Sequence, residues 1–313
     1  MNILSKALLL VLPVLLSAGT SHAHGIVGDR IFPATLTVDD PFDNDEIALP
    51  QVSFNKIRNN DGTTTEQTDI VSAFTKTITQ DFAISGQASY LINKTNNNGT
   101  QEGFDNFTIG TAYQITKNAE HEFALLAEFN MQIGDSGSRQ VGAANFNTYT
   151  PTVLFGKGFG DLPDRMPFLK PFAITGSLGY GVPSQRFTSS VDTTTGLLER
   201  GLNPQTISWG GSVQYSIPYL QQHIMNIGIS GIPAGFIPIV EFALQTPTEG
   251  EGKTTGTVSP GIIWMGKKTE YALEAQLPAT HATGSGVGVV AQVHFFIDDL
   301  YPNSLGKPLF GGN

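Results

Sequence analysis

Apolar and polar side chains alternate with period two along most of this chain, from about residue 51 to residue 297. No other feature constrains the fold as strongly. Over 205–219 one face reads Ile207, Trp209, Gly211, Val213, Tyr215 and Ile217, and the other Thr206, Ser208, Gly210, Ser212, Gln214 and Ser216. Over 122–133, Phe123, Leu125, Ala127, Phe129 and Met131 oppose Glu122, Ala124, Leu126, Glu128, Asn130 and Gln132. Successive strand residues point to opposite sides of a sheet, so each segment divides an apolar medium from a wetter one. Repeated about a dozen times, the pattern predicts an all-β fold, an antiparallel transmembrane β-barrel of about twelve strands.

The first residues predict export. Lys6 supplies a positive start, 7–16 is an apolar stretch, and Ser21-His22-Ala23 puts small residues where a signal peptidase reads, so residues 1–23 read as a signal peptide cleaved after Ala23. The apolar run is too short for a spanning helix, and no other stretch approaches the ~20 apolar residues such a helix needs. Cysteine is absent, which removes disulfides, thiolate metal sites and a cysteine nucleophile. Charged residues make up 14% of the chain, and the wet faces carry mostly Ser, Thr, Gly, Gln and Asn, which suits a confined lumen better than an open surface. A formal charge of −10 argues against a nucleic-acid partner, which requires a basic footprint.

Twelve strands are predicted at 50–58, 66–78, 80–93, 103–116, 121–133, 148–159, 170–182, 205–219, 236–246, 254–266, 269–277 and 286–297. Odd connections are long and polar (59–66, 93–103, 134–148, 183–203), whereas even ones such as 79–80, 117–120 and 267–268 are tight. This polarity places long loops outside and short turns with both termini in the periplasm. The even connection 158–170, with Asp161, Pro163, Asp164 and Pro167, reads as a structured turn, and 219–227 as a short interfacial helix. Tyr90, Tyr113, Tyr149, Phe159, Tyr180, Tyr215, Tyr219 and Tyr271 are expected in interfacial girdles. The domain plan is therefore a signal peptide (1–23), an acidic periplasmic segment able to act as a partial plug (24–49), the barrel (50–297) and a periplasmic tail (298–313).

Two groups of residues could carry chemistry. Asp39, Asp40, Asp43, Asp45 and Glu46 crowd one stretch and are candidate ligands for a hard cation, although the run lacks EF-hand spacing and a solvated acidic turn is the simpler reading. Glu128, Glu241, Glu274 and His294 lie on predicted inward faces, where a ring of carboxylates would favour cations as selectivity residues. The strand that carries Glu241 is apolar on both faces, so its register is open. Cleavage after Ala23 would expose His24 as an N-terminal histidine, whose amine and imidazole together suit copper. The opening His24-Gly25 resembles that of secreted copper-dependent polysaccharide monooxygenases, but those are soluble sandwiches, and chance placement explains it better. Outer-membrane phospholipases also have twelve strands. This chain has neither a His two residues before a Ser on an apolar-facing strand nor a G-x-S-x-G elbow, so no enzyme activity and no cofactor are expected.

Four segments carry a family resemblance: Ile31-Phe32-Pro33-Ala34-Thr35-Leu36, Gly156-Lys157-Gly158-Phe159-Gly160-Asp161-Leu162-Pro163, Pro171-Phe172-Ala173-Ile174-Thr175-Gly176, and Trp209-Gly210-Gly211-Ser212-Val213-Gln214-Tyr215. Together they resemble a family of proteobacterial outer-membrane β-barrel proteins, itself distantly similar to phenol-degradation-type (MetA-pathway) transporter barrels. The resemblance implies an outer-membrane barrel and passage of small molecules. Such barrels usually end on a strand with a terminal aromatic, whereas here 298–313 follows the last strand. The assembly signal is then expected near Phe295-Phe296, or the tail has its own periplasmic role.

The expected function is an outer-membrane channel or transporter for a small-molecule solute, with outer-membrane lipid as the surrounding partner. The alternative is a non-conducting structural, adhesive or assembly barrel whose loops carry the function. Loop polarity gives a direct test. An epitope inserted at Thr194, in the longest odd connection, is expected to be displayed on intact cells, and one at Lys268 is not. Surface labelling at Lys268 alone would invert the topology.

Overall fold

The alternating segments do form strands, and each pairs antiparallel with its neighbours. A computed structural model describes residues 25–58, 63–95, 99–191 and 198–310; the predicted signal peptide and His24 fall outside the described residues. The strands are β1 (Gly25–Val27), β2 (Arg30–Phe32), β3 (Glu46–Arg58), β4 (Thr64–Thr79), β5 (Phe82–Thr95), β6 (Gly99–Phe104), β7 (Thr108–Asn118), β8 (Phe123–Gln132) and β9 (Thr148–Gly158). They continue as β10 (Phe172–Pro183), β11 (Phe187–Val191), β12 (Leu198–Leu202), β13 (Thr206–Tyr215), β14 (Phe236–Pro247), β15 (Thr255–Met265), β16 (Thr269–Pro278) and β17 (Gly288–Phe296).

Thirteen of these share one sheet, which closes because β3 pairs with both β17 and β4, and β4 with β5. β6 pairs only with the far half of β5, while β7 pairs with its near half, so twelve strands make the closed wall. Phe74, Ile109, Phe129, Val153, Leu178, Val213, Val240 and Leu273 stand exposed on the outer face. This apolar band faces hydrocarbon, and the protein is an outer-membrane β-barrel. No helix among the described residues is long and apolar enough to cross a membrane; strands do the crossing.

Several local expectations need correction. The strand predicted at 103–116 is broken into β6 and β7, because Asn106 is buried and leaves the ladder. Its Nδ2 donates to Ala144 O (2.8 Å) and its Oδ1 accepts from Gly137 N–H (3.0 Å), which ties the break to the neighbouring loop. The first wall strand begins at Glu46, four residues earlier than predicted, with a shift of register at Leu49-Pro50 where proline has no N–H to give. The 183–203 connection is not irregular throughout: it contains the β11–β12 hairpin, paired only with itself. The short helix expected at 219–227 spans Ile217–Ile224 instead, capped by Ser216 Oγ, which accepts from Tyr219 N–H. Tyr219 is buried inside the barrel mouth and is not a girdle residue.

After β17 the chain makes one helical turn, Ile297–Leu300, and doubles back. Leu309 and Phe310 N–H groups donate to Thr77 O and Ile78 O at the end of β4, and Lys76 Nζ donates to Lys307 O (2.7 Å). Gly306 rests against the Asp298 backbone, where a Cβ would come within 2.2 Å. Burial, and then the charge of Asp299, push the Asp298 carboxyl up to about 7. The folded chain thus keeps a proton that the unfolded chain gives up near its ordinary value of 3.8. The stabilisation is complete at low pH and falls as pH rises through about 7. Proteolytic release of 301–310 is expected to accelerate between about pH 4 and pH 7, with the acceleration lost in Asp298→Asn. An unchanged pH profile in that variant would sink the assignment.

Candidate functional site

Before the wall begins, the chain enters the lumen from the end that carries the short turns, periplasmic in barrels of this type. The β1–β2 hairpin turns at Gly28, whose left-handed φ of 63° and close approach to Ala119 O exclude a side chain. At its base Arg30 is 0% exposed and Glu122 4%. Arg30 Nε donates to Glu122 Oε2 (3.1 Å), Nη1 to Pro171 O (2.9 Å) and Nη2 to Lys170 O, while the guanidinium lies 3.8 Å from the centre of the Tyr219 ring. Tyr219 Oη donates to Glu122 Oε1 (2.8 Å), and Gly160 N–H to Oε2 (3.0 Å). Glu122 itself sits at φ 46°, a strained conformation for a side chain of this size, held by these partners. The alternating glycines of 156–160 now have a reason. A Cβ would come within 2.9 Å of Phe32 and Pro41 at Gly156, 2.1 Å of Glu122 Oε2 at Gly158, and 2.2 Å of Glu122 Oε1 at Gly160.

Beyond the hairpin, residues 33–45 form a strap without secondary structure along one side of the lumen. Its unpaired backbone N–H groups need partners, and inward carboxylates supply them. Glu241 Oε1 accepts from Leu36 N–H (2.9 Å), and Oε2 accepts from Thr37 N–H (2.8 Å), Val38 N–H (3.0 Å) and Thr37 Oγ1 (2.5 Å). Glu270 Oε2 accepts from Ala34 N–H (3.2 Å). Leu36 is buried among Ile237, Ile239, Ile263, Ala272 and Val290 of β14–β17. Lower down, the Phe32 and Phe42 rings meet tilted at 41°, 5.5 Å apart, and bury Val27, Ala124 and Ala173 with them. The strap leaves a cavity of about 370 Å³ on the opposite side, walled by β3, β4, β5, β7, β8 and β17. Asp39, Asp40, Glu46, Asp69, Glu128 and His294 line it, and no lysine or arginine does.

All four predicted lumen residues point inward, but they do different things. Glu241 is fully buried under the strap, which settles the register of its strand. Glu274 lies across Gly261 toward Glu241 and is buried as well. Only Glu128 and His294 border the open cavity. His294 Nε2 is 3.2 Å from Glu46 Oε2, and its Nδ1 is 3.2 Å from Gln292 Nε2.

The acidic run 39–46 is pulled apart. Asp43 pairs with Lys117 (3.1 Å), Asp45 with Lys76 (2.6 Å) and Thr77, and Asp40 caps Phe42 N–H (3.1 Å). Among the described residues no three Asp, Glu, His or Cys side chains converge to hold a metal. Sequence reasoning missed Arg30, Glu122 and Tyr219. The available signal was a single arginine in an acidic segment together with the alternating glycines at 156, 158 and 160.

No protein-family model matches the chain, and no curated protein does. Among solved structures it is similar to an outer-membrane channel from Pseudomonas putida F1, with a TM-score of 0.55 and 8% identity over 85% of this chain and 99% of that one. The β-domain of the Bordetella autotransporter BrkA gives 0.48 at 10% identity over 81% and 99%, and the NanC porin 0.46 at 11% over 79% and 98%. At 8% identity the likeness to the channel is one of fold.

Removing one partner of a buried ion pair costs about 3–5 kcal/mol, because the other charge is left without compensation. Arg30→Ala or Glu122→Gln is therefore expected to undock residues 25–45. Amide hydrogen exchange should rise sharply across that segment while β7–β10 keep their protection. Unaltered exchange would show that the strap alone holds the segment.

Proposed function

We propose that this barrel is an outer-membrane channel for small molecules, held closed by its own N-terminal segment and favouring cations. The observation that carries this reading is the residual lumen: a polar cavity of about 370 Å³ beside a plug held by side-chain hydrogen bonds and packing. A barrel built only as a wall has no need of such space, since smaller barrels fill their interiors with side chains. The charged residues that line the cavity are five carboxylates and one histidine, and a ring of that sign disfavours anions. The resemblance of segments 31–36, 156–163, 171–176 and 209–215 to a proteobacterial outer-membrane barrel family, itself distantly similar to phenol-degradation-type transporter barrels, also supports passage of a small solute.

Planar-bilayer recording of the full chain and of a chain lacking residues 25–44 tests the reading. The truncated form is expected to conduct several-fold more, with potassium more permeant than chloride, and Glu128→Gln should bring the two permeabilities closer. A truncated, folded barrel that neither conducts nor passes solute in liposomes would support the structural, adhesive or assembly alternative.

A further inference from the structure

We propose that the connection between β13 and β14 is a membrane-surface anchor. Residues 225–234 lie along the outside of the barrel rim, with their apolar side chains in the periplasmic leaflet at the boundary between phospholipid headgroups and acyl chains. The proposal concerns the outer surface and stands or falls independently of conduction.

Composition is the first ground. Connections at the short-turn end are otherwise small and polar, as at Lys267-Lys268, or structured and charged, as at 158–170. From Ile224 to Val240 the chain instead carries no charged residue and six isoleucines, a sequence unsuited to an aqueous turn. The helix before it, Ile217–Ile224, buries Tyr219 and Leu220. The chain beyond it does the opposite: Met225 is 44% exposed, Ile227 43% and Ile232 54%.

The position of the segment names what covers these side chains. Ile263 is buried with Ile237 beneath the strap, so the next residue along β15, Trp264, points out of the wall. Trp264 Nε1 donates to Ile232 O (3.0 Å), and a Cβ on Gly235 would come within 2.9 Å of the same nitrogen. Tyr271 on β16 sets its ring 5.6 Å from that of Trp264, a pair of the kind found at membrane interfaces. The connection therefore leaves the barrel mouth, crosses the rim and comes down on the lipid side. There it runs directly into the outward face of β14, where Phe236 stands opposite Trp264 and Val240 is exposed to hydrocarbon. Continuity with this lipid-facing surface makes phospholipid the occupant.

Backbone chemistry sets the depth. The segment is irregular: Met225 and Ala234 N–H groups bond back to Leu220 O (2.8 Å) and Gly231 O (3.2 Å), and Gly228 N–H to Asn226 Oδ1 (2.8 Å). Irregular backbone is not sustained in lipid-exposed hydrocarbon. The peptide thus stays at the wet headgroup level, and the side chains of Met225, Ile227 and Ile232 reach below it, as in other interfacial anchors.

The absence of cysteine allows a direct test, since Ile227→Cys and Ile232→Cys each accept a single nitroxide label. Glu120→Cys, exposed in the turn between β7 and β8 at the same end, is the aqueous reference. The full-length protein is reconstituted in phosphatidylcholine vesicles with a water-soluble nickel complex on both sides. Collisions of each label with oxygen and with the nickel complex are then measured by electron paramagnetic resonance. The oxygen-to-nickel ratio is expected to be several-fold higher at 227 and 232 than at 120, and the same at two widely different lipid-to-protein ratios. Ratios at 227 and 232 equal to that at 120 would place the segment in water and overturn the anchor. Ratios that fall as the protein is diluted into lipid would assign the patch to a second copy and overturn it too. A label at Met225→Cys should lose its advantage over position 120 in the Ile227→Asn/Ile232→Asn background, with folding checked by heat-modifiable gel migration. Full retention there would show that these side chains do not hold the segment in the membrane. If that background fails to fold, the two single labels decide.

Discussion

A polypeptide surrounded by hydrocarbon must satisfy every backbone N–H and C=O from within, and the whole molecule follows from that requirement. Outside, the closed ladder from β3 round to β4 and β5 meets it with strand pairing. Inside, the strap has no ladder, and the wall's polar side chains take its place. Glu241 accepts from three consecutive N–H groups, Glu270 accepts from Ala34, Gln51 Nε2 donates to Leu36 O and Gln114 Nε2 donates to Pro41 O. Much of the neutral and acidic polarity of the inner face is thus committed to holding a second layer of chain rather than water.

The wall was legible because period-two alternation reports the polarity of the medium on each side of a strand. Leu126 and Glu128 face inward and Phe129 outward, as the pattern implies. The same rule could not place β14, since Ile237 and Ile239 are apolar yet face inward. Their neighbour is Leu36, supplied from far away in the chain, and periodicity carries no record of which segment provides the apolar contact. For the same reason Glu241 looked like a lumen charge. Its oxygens are occupied by Leu36, Thr37 and Val38, a pairing that only the folded topology brings together. The acidic run 39–46 read as one cluster, but entering β3 at Glu46 sends its members to different partners.

Charge is distributed unevenly along the barrel axis as a result. Arg30, Lys76 and Lys117 are gathered at the short-turn end, each tied to a carboxylate. Further into the lumen lie Glu128, Glu241 and Glu274, with no basic side chain bonded to any of them among the described residues. Backbone dipoles neutralise Glu241 in part, in the way that oriented N–H groups bind anions elsewhere.

The order in which the chain emerges gives the Glu241 contacts a kinetic meaning. Leu36 and Glu241 are 205 residues apart, and Ala34 and Glu270 are 236 apart. The strap therefore lacks its Glu241 and Glu270 acceptors until β14 and β16 are in place. Contacts of such long sequence separation form late, after the loop-closure entropy has been overcome. The seam between the first and last wall strands, β3 against β17, belongs to the strand that immediately follows the strap. Closing the seam and seating the strap thus draw on the same C-terminal strands, β14 to β17.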